Sequence, residues 1–154
     1  MKINKSYSWM YVILTYFIIT LVGGIFSLFN QKKKEAMRLF LGNSGFLLDF
    51  SMDVILLIIL LLVVVGIILK LKWAWKLSLI FVALIAVGII IGTIIGVAMP
   101  GKLLESMATV YDMDISFIPK ILFLMTSIIG TIFNLILWGL IGRYIYRNKK
   151  FFKK

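Results

Sequence analysis

Residues 77–99 read LSLIFVALIAVGIIIGTIIGVAM, twenty-three positions without a charge. About 20 apolar residues in a helix cross the roughly 30 Å of a bilayer's hydrocarbon, so this stretch alone is long enough to span one. Three more runs of the same kind flank it. Ser6–Gln31 and Ile121–Gly142 are uncharged throughout. Val54–Leu69 is uncharged but shorter, about 24 Å at helical rise, so it borrows residues at both ends. There Lys70 can snorkel and Asp53 is drawn toward the apolar boundary. The reading is an all-α, polytopic membrane protein: an antiparallel bundle of four transmembrane helices. It forms one membrane domain over 1–154, with spans at about 8–29, 48–69, 75–99 and 119–142 and a basic tail at 143–154.

Composition agrees with that reading. Hydrophobic residues make up 62% of the 154 and charged residues 15%, against about half and a quarter in soluble domains. There is no cysteine and no histidine. Disulfides, thiol chemistry, haem and ordinary zinc sites are thereby excluded, along with the commonest general base. No metal or cofactor is expected. Lys2 and Lys5 precede the first apolar run, but that run is long for a signal peptide and no Ala-x-Ala site follows. A retained helix is expected.

The net charge of +11 does not indicate nucleic acid, because the basic residues sit at the ends of apolar runs. The N-terminus, the Lys70–Lys76 loop and the C-terminal tail carry eleven of them. The other two loops carry six: Lys32, Lys33, Lys34, Arg38, Lys102 and Lys120. The positive-inside rule then places both termini in the cytoplasm, in a plasma (cytoplasmic) membrane. All six acids fall on the outer side: Glu35, Asp49, Asp53, Glu105, Asp112 and Asp114.

Two outer segments are amphipathic. Around Lys32–Leu41, Met37, Phe40 and Leu41 share one face until Gly42-Asn43-Ser44-Gly45 breaks the helix. In Lys102–Tyr111, Leu103, Leu104, Met107, Ala108 and Tyr111 form one face, and Lys102, Glu105, Ser106, Thr109 and Asp112 the other. Both are expected as short interfacial helices on the outer leaflet. Trp9, Trp73, Trp75, Phe40 and Met107 are candidate interfacial anchors.

Three constellations carry the functional reading. Gly88, Gly92 and Gly96 recur every fourth residue, a glycine zipper that admits a close neighbour, with span one and its Gly24 the expected partner. Gly92→Leu is then expected to force the backbones apart; a homo-oligomer seam is the other use of the same stripe. Asp49 and Asp53 lie one helical turn apart near the outer end of span two. They form a candidate ion or proton site, or simply pair with Lys102, Lys120 or Arg38. Asn134 sits mid-span in a stripe with Ser127, Gly130 and Thr131. Such a stripe lines a polar path or makes interhelical hydrogen bonds. No nucleophile–base pair and no catalytic motif assembles, so no enzyme activity is expected.

The stretch Gly66–Leu79, with its basic Trp73-Ala74-Trp75 turn, resembles the central hairpin of small, uncharacterised prokaryotic four-helix membrane proteins. The ending Leu140–Phe152 is similar to their C-termini. This resemblance implies the four-span layout and brings no activity. Expected partners are the lipid bilayer, a membrane protein or peptide, or further copies of the chain. The functional expectation is a non-catalytic membrane interaction protein, an accessory subunit or a protective, immunity-type factor. The alternative is a small oligomeric channel or transporter using Asp49, Asp53 and Asn134.

Overall fold

The computed structural model describes residues 8–112 and 119–152. Lys2, Lys5, Asp114, Lys153 and Lys154, which enter the charge reading, lie outside the described residues. The described chain is helical, with five α-helices in the order α1 (Ser8–Phe29), α2 (Gln31–Ile68), α3 (Lys72–Ala98), α4 (Pro100–Tyr111) and α5 (Lys120–Arg147), then a 3₁₀ turn at Lys149–Phe151. Four of them, α1, α2, α3 and α5, are long and apolar enough to cross a membrane.

The second helix is not straight. Gly42 has φ 75° and ψ 175° inside α2, a backbone region open to glycine and almost nothing else. The helix resumes at once, and the two pieces fold against each other around that residue. Arg38 lies over the Phe46 ring at 5.1 Å, Lys34 over Phe50 at 5.3 Å, and Lys33 bonds Asp53 at 3.1 Å. These pairs are mirror positions about the corner. A Cβ on Gly45 would stand 2.8 Å from Cβ of Leu41, so the corner is closed tightly. The arm Gln31–Leu41 therefore packs along the next piece of α2 instead of lying alone across a membrane surface.

At its other end α2 stops in a Schellman motif. Leu71 N–H bonds Gly66 O at 2.9 Å and Lys70 N–H bonds Ile67 O at 3.1 Å, while Lys70 takes the left-handed φ of 55°. This satisfies carbonyls that a helix end otherwise leaves open. The turn is close: a Cβ on Gly66 would come within 2.5 Å of Ala74 Cβ.

Three aromatic rings join α1, α3 and α5. Phe17, Phe81 and Trp138 lie 5.8, 6.1 and 5.9 Å apart, centroid to centroid, and all are buried. Leu60, Val63 and Ile67 of α2 complete this core. The principal partner of α3 is α5. They meet through a 2.6 Å hydrogen bond between the Thr93 and Thr131 hydroxyls, and at Gly142, where a Cβ would stand 3.2 Å from Val82. The chain's end folds back as well: Phe151 and Phe152 are buried, Phe151 stacks edge-on to Tyr11, and Lys70 lies over its ring.

The expected packing of the glycine stripe is corrected. Gly24 packs on Leu57 of α2, not on α3. Gly88 and Gly92 are exposed, and a Cβ at either would meet nothing within 4 Å; only Gly96 has a neighbour, Leu103 at 3.7 Å. The reason lies in α3, which spends its contact face on α5 through Thr93 and Val82. Gly92→Leu is therefore expected to leave the monomer folded. Relieving a mid-helix glycine should hold or raise its stability by about 0.5–1 kcal/mol. Unfolding in mixed detergent micelles checks this, and a large loss would restore the original expectation.

A candidate amphiphilic site at the Gly42 end

The Gly42 corner brings charged side chains onto the ends of apolar helices. Asn30 caps α2, its side-chain carbonyl accepting from Lys33 N–H at 3.0 Å. That cap fixes the first turn of the arm and aims Lys33 inward. The Lys33 ammonium then donates to Ser27 Oγ at 2.8 Å and to Asp53 Oδ2 at 3.1 Å. Among the described residues this is the one salt bridge, and its two side chains are 37% and 38% exposed. Half-buried, charge-assisted and shared with a hydroxyl, it is stronger than an open surface pair. Asp49, one turn from Asp53, lines the same seam with Lys33, Lys34 and Phe50.

Below this cluster the helices part. A cleft of about 160 Å³ is lined by Thr20, Gly24 and Ser27 of α1, by Leu56, Leu57 and Leu60 of α2, by Phe81 and Ile85 of α3, and by Lys33 and Asp53 at its mouth. One end is polar and charged, the walls are aliphatic, and Phe81 joins the cleft to the aromatic core. Phe81, Ile85, Gly88 and Gly92 fall on one face of α3 at helical spacing. The cleft's α3 wall thus continues toward the Gly42 end as bare glycine backbone.

Other expected site residues lie apart. Asn134 is exposed on α5, its amide donating to Gly130 O at 2.9 Å within its own helix. It does not line the cleft, so Asp49, Asp53 and Asn134 do not form one path. From the same stripe, Thr131 makes the contact between helices. Lys102, Lys120 and Arg38, the expected partners of the aspartates, are not the ones used. Lys33 takes Asp53, a residue the sequence reading counted only as a loop charge. The signal was available: Lys33 and Asp53 are near-mirror positions about Gly42.

The candidate anchors divide. Trp9 projects outward, 64% exposed, and Trp73 is also exposed. Trp75 is half-buried and donates its indole N–H to Ile145 O at 3.2 Å, with Lys149 over its ring. It locks α3 to α5. Phe40 is only 6% exposed, which corrects its reading as an anchor: the fold-back of the arm carries it inside. Over this end lies α4, packed chiefly on α2, with Leu104 and Ser106 buried on different sides of the helix. Lys102, Glu105 and Thr109 form one exposed row, and Met107 is exposed on another side. Among the described residues no group of three or more metal-ligating side chains is found.

Comparison of the chain with protein-family models, with curated proteins and with solved structures gives no match in any of the three.

Proposed function

We propose that the protein is a non-catalytic integral membrane interaction protein, an accessory subunit or a protective, immunity-type factor. Its four long helices would form an antiparallel bundle in a cytoplasmic membrane, with both termini cytoplasmic and the Gly42 end outside. The charge distribution supports that orientation. The observation that carries the reading is α4. This twelve-residue helix packs chiefly on α2 with Leu104 and Ser106 buried, while an exposed polar row of Lys102, Glu105 and Thr109 and the exposed Met107 remain open to a partner. A short helix docked that way builds a recognition surface without chemistry.

The channel reading has less support. The cleft runs into the Phe17–Phe81–Trp138 cluster, and Asn134 lies outside it.

Purification of the full chain in mild detergent tests the proposal. A stoichiometric membrane partner is expected, lost on Met107→Asp while the bundle stays folded. Met107 suits this test because it is 39% exposed; Phe40 does not, since an aspartate there would be buried. A lone monomer that conducts ions in proteoliposomes would contradict the proposal.

A further inference from the structure

We infer that the cleft between α1, α2 and α3 is a binding site for one phospholipid whose headgroup carries both a phosphate and a primary ammonium. The site lies beyond the interaction surface on α4 and does not depend on what that surface binds.

The cleft matches such a molecule in three respects. Its interior is aliphatic, with Leu56, Leu57, Leu60 and Ile85 around a volume of about 160 Å³. That suits part of an acyl chain and suits no polar solute. Its α3 wall passes from Ile85 onto Gly88 and Gly92, where no side chain occupies the surface. The cleft therefore opens out at its Gly42 end, beside Lys33 and Asp53, where a headgroup and its glycerol need room. Its mouth is zwitterionic. The Lys33 ammonium can meet a phosphate and the Asp53 carboxylate an ammonium, while Asp49, one turn away, lines the adjoining seam. A headgroup with only a negative charge would meet Lys33 but also face the Asp53 carboxylate. A zwitterion satisfies both signs, which is charge complementarity at close range. The pair sits where the charged arm meets the apolar helices, the depth at which a bilayer places its headgroups.

The glycines of α3 acquire a role here. A Cβ at Gly88 or Gly92 would meet nothing within 4 Å, so these positions leave the mouth open. A larger side chain at Gly88 therefore starts from open space and can obstruct the mouth at little cost to the fold.

Native mass spectrometry of the full chain in detergent provides the test. The probes are phosphatidylethanolamine and, for comparison, phosphatidylglycerol with the same acyl chains. One phosphatidylethanolamine per chain is expected, bound about tenfold more tightly than phosphatidylglycerol, the ratio one charge-assisted hydrogen bond supports. Asp53→Asn should reduce that preference to near unity. Gly88→Leu should weaken both lipids, whereas Gly139→Leu, equally free of neighbours but outside the cleft, should weaken neither. Equal binding of the two lipids by the unaltered chain would overturn the inference. So would undiminished binding by Gly88→Leu, and neither result needs the Asp53 variant to fold.

Discussion

Trp138→Ala is expected to cost about 3 kcal/mol, the low end of the range for emptying a large aromatic site in a packed core. Trp138 is buried and touches three rings: it stacks on Phe17 at 6.1 Å and meets Phe81 and Tyr16 edge-on at 5.9 and 5.6 Å. From α5 it joins α1 and α3 at once. In lipid, helices are held by packing more than by escape from water, so lost contacts are the main term. Lipid tails supply some replacement contact, which keeps the figure at the low end. Unfolding by SDS in mixed micelles reads the loss. Phe133→Ala is the control; Phe133 is exposed, and its removal should move stability by no more than about 0.5 kcal/mol. Equal effects at the two positions would mean that the aromatic cluster does not hold the helices together.

Gly42→Val should be nearly as costly, by a different route. At φ 75° and ψ 175° a β-branched residue pays about 1–3 kcal/mol of backbone strain. The chain can relieve that strain by straightening α2. It would then lose the Lys33–Asp53 bond, the Arg38 and Lys34 contacts with Phe46 and Phe50, and the burial of Phe40. Exposure of the arm follows. Protease sensitivity near Lys32–Arg38 should rise sharply in the variant, and the α1–α3–α5 core should still unfold as before. A variant with native protection of the arm would show that the corner tolerates a side chain.

Much of the helix layout was legible because uncharged length is a coarse signal. Twenty or more apolar residues have few other uses, and Pro100-Gly101 marks where α3 gives way to α4. The break at Gly42 was legible too, but its consequence was not. A glycine permits a corner without specifying its angle, so the arm read as a surface helix when it packs back along α2. That difference buried Phe40 and gave Asp53 a partner. Which face of a helix meets its neighbour was harder still. On α5, the Ser127–Thr131 row and the Gly130–Asn134 row lie only about 60° apart on the helix. Composition does not say which of them faces α3. The structure chooses the first, through Thr93. The glycines of α3 misled for a related reason: small residues permit close packing, and they equally leave a helix face bare.

The fold-back at Gly42 underlies the site, the lipid inference and the placement of α4, and a single distance tests it. The chain has no cysteine, so spin labels on cysteines introduced at Lys32 and Ile55, both exposed, would be unique. With the arm packed on α2, neighbouring helix axes stand about 8–10 Å apart. Pulsed electron resonance in nanodiscs should then give a narrow distribution at roughly 10–20 Å once label length is added. A straight α2 would separate the same positions by about 35 Å at 1.5 Å per residue, and a peak there would contradict the account.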